Sequence, residues 1–278
     1  MSALEIVTLM NDEDASVPAA IRPALPTIAA AVEAIARRLR DGGRLYYAGA
    51  GTSGRLAVLD AVECVPTFSV SPDLVTPLMA GGAAALTRSV EGAEDDVDLA
   101  RRDVMAAGVG ANDALVGVAA SGTTPYVVAA LEAARERGAV TAAISNNEPA
   151  PILELADYPI AAVTGPEVLS GSTRLKAGTA QKLILNMIST AAMVRLGKVH
   201  GNRMIDVAVT NRKLRERAEG IVADLVGCTT PDAAQLLDAA DQEVKTAVLM
   251  GLADVDAATA RARLEAADGY LRQALEAS

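Results

Sequence analysis

Short apolar runs alternate with helical patterns through the middle of the chain. The runs fall at 44–48, 74–79, 114–120, 141–145 and 158–163, with helical patterns between them near 53–62, 83–107 and 126–137. Near-continuous apolar strands separated by helices predict a parallel sheet covered on both faces. The expected fold class is α/β, a doubly wound parallel sheet sandwiched by helices.

Helices frame this region. Residues 4–40 read as helical, with a boundary where Asn11, Asp12, Glu13 and Asp14 give way to Ser16 and Pro18. Ile21, Leu25, Ile28, Val32, Ile35 and Leu39 then recur at three- and four-residue spacing, one apolar face that Gly42-Gly43 ends. Past the last run, 174–196 predicts a long helix with Leu183, Ile184, Met187, Ala191 and Val194 on or near one stripe. Residues 204–226 read as helix again. The tail holds short helical patterns beginning at Thr230-Pro231-Asp232 and covering 241–252 and 256–275, with no strand signal. The expected organisation is an N-terminal helical segment at 1–40, a sheet domain at 41–215 and a small all-helical domain at 216–278.

Composition narrows the function classes. Hydrophobic residues make up 51% of the chain but aromatics only 2%, so Ala, Val and Leu must build the core. No apolar run reaches the ~18 residues of a membrane span. The first residues lack the basic region and cleavage site of a secretory signal, so a cytoplasmic protein with no membrane partner is expected. A formal net charge of −10 argues against nucleic acid, whose phosphates need basic patches. Any phosphorylated substrate must then be held by local N–H groups, hydroxyls and a few cations. Cys64 and Cys228 have no metal or redox spacing, and His200 is the single histidine. A His-based zinc site and a Ser-His-Asp triad both fall away, and no metal is expected.

In doubly wound sheets, ligands bind outside the carboxyl ends of the strands. Here those ends read 49–54, 81–82, 121–125, 145–147 and 164–173, and Gly, Ser, Thr and Asn dominate each one. The first matches Gly-x-Gly-x-x-Gly at Gly49, Gly51 and Gly54, the dinucleotide fingerprint in letters. A dinucleotide site also needs an acid at the end of the second strand. That strand ends Leu78-Met79-Ala80-Gly81-Gly82, and Asp73 stands at its wrong end. Thr52 and Ser53 bring hydroxyls instead, which favours a sugar or phosphate site over a dinucleotide or a bare turn. At the third strand end, Ser121, Gly122, Thr123 and Thr124 precede Pro125 and a helix. Three hydroxyls there suit a phosphate cradle, where simple capping needs one. Gly171-Ser172-Thr173-Arg174 with Lys176 is either a further contact or a capped, solvated turn.

Two carboxylates stand out for acid–base work. Glu63 follows Leu56, Val58, Leu59 and Val62 at the end of the first loop's helix, and an apolar setting would raise its pKa toward that of a general acid. Glu94 lies in the acidic run 91–96, where Asp95 and Asp96 read as a solvated helix start and Glu94 stays open. His200 reads as structural or, as the single imidazole of the chain, as a site residue.

These residues together resemble a known family. G-A-G-T-S-G-R-L (49–56), D-A-V-E-C-V-P-T (60–67), E-G-A-E-D (91–95), A-A-S-G-T-T-P-Y-V (119–127) and T-G-P-E-V-L-S-G-S-T-R-L-K-A-G-T-A-Q-K (164–182) are similar to the N-acetylmuramic acid 6-phosphate etherases. The likeness continues through G-K-V-H-G-N-R-M-I-D-V (197–207) and spans nearly the whole chain. It implies a sugar-isomerase (SIS) domain that binds phosphosugars, a small helical domain, a homodimer and no cofactor. It also implies the activity. The family removes D-lactate from N-acetylmuramic acid 6-phosphate with water, leaving N-acetylglucosamine 6-phosphate, in the recycling of cell-wall sugars.

By the resemblance, Glu63 is the proton donor to lactate and Glu94 works at C2 and on water. Thr52, Ser53, Ser121, Gly122 and Thr123 fall where related proteins contact the ligand. Two departures accompany the match. Thr123 replaces the family's usual arginine, leaving Arg55 or Lys176 to compensate, and the family usually carries a further polar N-terminal segment. The rival readings are an aldose–ketose isomerase on the same fold and a non-catalytic phosphosugar sensor. A DNA-binding sensor would need a basic helix pair that the sequence lacks, and a pure sensor has no need of two carboxylates.

Overall fold

A computed structural model describes residues 1–276 apart from 208 and 210. By contact density the chain divides into two compact units, one of residues 1–62 and 72–192, the other of residues 63–71 and 193–278.

The first unit opens with α1 (Ala3–Asp14), α2 (Val17–Ile21), a 3-10 turn and α3 (Leu25–Arg40). Ser2 caps α1 in a reciprocal pairing with Glu5, yet α1 buries no residue. Helix α3 buries Ile28, Ala31, Val32, Ile35 and Leu39 against β4 (Val140–Ser145) and β5 (Tyr158–Ala161). The helical stretch Ala3–Arg40 is long and apolar enough to cross a membrane. Its buried stripe on the sheet gives the apolar residues a different cause, that of a core helix.

Five parallel strands form the sheet in the order β2-β1-β3-β4-β5. They are β1 (Leu45–Gly49), β2 (Val75–Met79), β3 (Ala114–Ala119), β4 and β5. Strand positions therefore match the apolar runs closely. Every residue of β1 and β3 is buried, because helices cover both faces. Alternation sends Tyr46 to one face, where its hydroxyl donates to the Ala107 carbonyl, and Tyr47 to the other, where it donates to Asp60. Helices α4 (Gly51–Phe68), α5 (Ala84–Thr87), α6 (Val97–Ala106), α7 (Pro125–Glu136), α8 (Pro151–Leu155) and α9 (Lys176–Arg195) fill the connections. Ala and Val let α7 pack closely: a side chain on Gly117 of β3 would stand 2.8 Å from Val127 and Leu131.

Two expectations change here. Helix α4 runs to Phe68 through Pro66, so Glu63 lies within the helix and not at its end. The pattern at 83–107 is two helices parted by an exposed strap in which Gly92 is left-handed, at φ 73°. Asp96 then starts α6 by accepting from the Leu99 N–H at 2.7 Å.

The second unit is mostly helical. Its helices are α10 (Arg212–Val226), α11 (Thr230–Ala239), α12 (Val244–Ala253), α13 (Ala257–Ala266) and α14 (Leu271–Glu276). Val244, Ala247, Val248 and Leu249 make α12 the buried centre, against Val222, Leu237 and Leu264. The helix expected at 204–226 begins only at Arg212, and its positions 208 and 210 lie outside the described residues. Before it, β6 (Val199–His200) and β7 (Arg203–Met204) pair as an antiparallel hairpin. Asn211, Thr229 and Asp256 cap the helices that follow them. Lys198 and Lys245 both bind one oxygen of Asp206, at 2.9 and 3.1 Å.

Candidate active site

Strand order 2-1-3-4-5 places a switch point between β1 and β3, where successive connections leave on opposite faces. Both hydroxyl-rich loops sit at this crevice. After β1, α4 starts so close to the strand that only glycine fits. A Cβ on Gly54 would lie 2.2 Å from the Met79 sulfur and 2.7 Å from the Gly49 carbonyl. Ser53 is buried in this first turn and Thr52 is half-buried. Thr52 also meets the start of α9, where a Cβ on Gly178 would stand 3.6 Å from its methyl.

After β3, Gly122 is left-handed at φ 72°, and a side chain there would stand 2.3 Å from Ala150 Cβ. The turn folds on itself: the Thr123 N–H and hydroxyl both bond to Ser121 Oγ, at 3.2 and 3.0 Å. Thr124 makes no side-chain cap on α7, and Pro125 occupies its first turn. Simple capping therefore does not account for the hydroxyls, and the helix dipole favours an anion there.

Beneath this loop lies a ladder of amides that sequence reasoning missed. Asn147 donates to the Ala120 carbonyl at 2.9 Å, and Asn146 to the Ala162 carbonyl at 3.0 Å. Gln181 of α9 donates to Asn146 at 2.9 Å. These bonds tie the ends of β3, β4 and β5 to one helix. The only signal for them in the sequence was the polar strand end at 145–147.

Glu94 and Glu63 occupy different surroundings. Glu94 lines a cavity of about 290 Å³ with Gly51, Arg55, Met79, Ser89 and Glu91, beside the first loop. Glu63 is exposed and does not line this cavity. It lies twelve residues beyond Gly51 on α4, about 18 Å at the usual rise of ~1.5 Å per residue. Its helical neighbours Leu59 and Val62 are also exposed, at 51% and 59%. The apolar setting expected around Glu63 is thus present as bare surface.

The turn at 171–176 is satisfied from within the chain. Glu167 accepts from the Lys176 and Ala177 N–H groups, both at 3.0 Å, and so caps α9 with a carboxylate. Lys176 is 3% exposed, and its ammonium stands 2.6 Å from Glu13. Ser172 is half-exposed in the same turn. Among the described residues no group of His, Cys, Asp and Glu is arranged to hold a metal.

Comparison with known proteins defines the family. Residues 27–135 match the model of the glucokinase regulatory protein N-terminal SIS domain, and residues 93–191 match the SIS domain model. The chain is 54% identical to an N-acetylmuramic acid 6-phosphate etherase of Streptomyces avermitilis, covering 100% of this chain and 89% of that protein. It is 55% identical to one from an Exiguobacterium species, covering 99% and 94%. The chain belongs to the N-acetylmuramic acid 6-phosphate etherase family.

Etherase membership agrees with the fold of distant solved structures. A phosphoheptose isomerase from Francisella tularensis superposes with a TM-score of 0.54 at 19% identity, covering 69% of this chain and 98% of that one. One from Neisseria gonorrhoeae gives 0.53 at 18%, covering 69% and 99%. At such identity these likenesses establish the SIS fold alone. The etherase match, by contrast, extends through the helical second unit as well as the sheet.

Proposed function

We propose that this protein cleaves the D-lactyl ether of N-acetylmuramic acid 6-phosphate with water, giving N-acetylglucosamine 6-phosphate and D-lactate. Identity above 50% over the whole chain to proteins bearing that name carries the reading. The site supports it with hydroxyls and helix N-termini for a phosphosugar at the switch point and with the Glu94 carboxylate beside them, while the part given to Glu63 rests on the family resemblance. Thr52, Ser53, Ser121, Gly122, Thr123, Thr124 and Ser172 hold the sugar and phosphate. Lys176, tied to Glu13, is left out of that set.

The chemistry follows from the open-chain sugar. Its C1 is an aldehyde, so the proton on C2 is acidic and the ether oxygen on C3 is a β leaving group. By the family resemblance, Glu94 takes the C2 proton and Glu63 protonates the departing lactate oxygen. Water then adds at C3 and a proton returns to C2. Each acid–base group of this kind contributes about 10²–10⁴-fold.

The working form is a cytoplasmic homodimer. Leu59 and Val62 of α4 leave an apolar face open, as do Leu4 and Val7 of α1. Covering the α4 face with a second copy would desolvate Glu63, the condition a general acid at neutral pH requires. The test is to incubate the purified protein with N-acetylmuramic acid 6-phosphate and measure D-lactate. Release that falls at least about a hundredfold in both Glu63→Gln and Glu94→Gln is expected. Bound sugar without lactate would refute the etherase reading and leave the isomerase or sensor.

A further inference from the structure

The strap before Glu94 has little to hold it, although the turn Ala93–Asp95 itself packs against α7. Residues 86–92 are exposed, and the backbone bonds within the strap are local ones, such as Arg88 N–H to the Ala84 carbonyl and Asp95 N–H to the Gly92 carbonyl. Such segments open at low free energy unless something fixes them. On the C-terminal side, Asp96 pins the strap to α6. On the N-terminal side the fixing group is Arg55, from the first turns of α4. Its Nε donates to the Leu86 carbonyl at 3.3 Å and its Nη2 to the Arg88 carbonyl at 3.2 Å. Gly81 completes the seat. Its missing side chain leaves room for Val90 and Ala93, which a Cβ would approach to 3.0 and 3.3 Å.

We propose that Arg55 is a positioning residue that clamps the strap and thereby sets Glu94 against the cavity both residues line. A planar guanidinium suits the task, because two N–H groups pointing in fixed directions reach two carbonyls at once. The same helix turn carries Thr52 and Ser53. Glu94 is therefore registered to the sugar-binding loop by one rigid element. The catalytic part of the inference rests on the etherase reading. The clamp itself does not.

The test uses the full-length protein with Arg55→Lys and Arg55→Ala. Hydrogen exchange at amides 88–94 is expected to quicken in both variants while β1 and β3 exchange as in the wild type. Lactate release should lose about tenfold in kcat with lysine and about a hundredfold with alanine, at nearly unchanged KM and pH profile. Unchanged exchange across the strap would overturn the clamp. A rise in KM at constant kcat would also overturn the proposal, by placing the guanidinium on the substrate. If the wild type releases no lactate, the etherase reading fails, and the exchange measurement still decides the clamp.

Discussion

Lys176 and Glu13, far apart in the chain, meet at 2.6 Å, and the lysine is buried while the Glu13 side chain stays 43% exposed. This pair ties α1, which buries nothing of its own, to the start of α9. Removing Glu13 strands a buried ammonium, whereas replacing the lysine with an apolar chain strands only a half-solvated carboxylate. Glu13→Ala is expected to cost about 1–2 kcal/mol, the usual penalty discounted for solvent screening. Lys176→Met should cost less, with KM for the phosphosugar near the wild-type value. Denaturant titration and steady-state kinetics check both, and a large rise in KM would put Lys176 on the substrate.

Gly122→Ala tests the proposed phosphate loop. The added methyl meets Ala150 at 2.3 Å and Ser145 at 2.6 Å, in a backbone at φ 72° that disfavours alanine. A loss of about 1–3 kcal/mol is expected, with much weaker substrate binding. Gly82→Ala is the control. It shares a positive φ of 63° but has nothing within 4 Å, so about 1 kcal/mol suffices.

Leu59→Asp combined with Val62→Asp tests the second copy. Both side chains are exposed in the single chain, so the change should leave folding intact while charging the apolar face. Light scattering should report a monomer, and lactate release should fall with it because Glu63 returns to water. A double variant that stays dimeric and active would place the interface elsewhere.

Tyr126 supplies a pH test. Burial, then its 2.6 Å hydrogen bond to Asp103, pushes the phenol well above its ordinary pKa of 10.0. In the unfolded chain tyrosine ionises near ~10 while the folded phenol stays protonated. Its contribution is therefore complete below pH ~10 and is lost as pH rises, by about 1.4 kcal/mol per unit. Tyr126→Phe should flatten that alkaline decline in stability, measured by urea unfolding between pH 9 and 11 (chosen to span about that ordinary value).

Much of this was legible along the chain because the signals are local. Continuous apolar runs marked the strands, and glycines with hydroxyls marked the loops where those strands end. Short-range chemistry also fell short in places. Asp96 does start a helix, but spacing left Glu94 open, and it took Gly92, which turns the backbone left-handed, to set Glu94 on a strap. Residues 199–204 were too short to show a period and form a hairpin.

The sequence by itself determined the family, the parallel α/β class and the residue types at the strand ends, since each is written in adjacent positions. Only the tertiary structure decided how those residues are employed. It placed β1 beside β3, assigned Lys176 to Glu13 and Glu167 to the α9 N-terminus, and built the Asn146–Gln181 ladder under the third loop. It also spread Glu63 and Glu94 onto a bare helix face and a clamped strap. These partners are remote in the chain and carry no periodic pattern. Their pairing is set by which surfaces the packed sheet brings together.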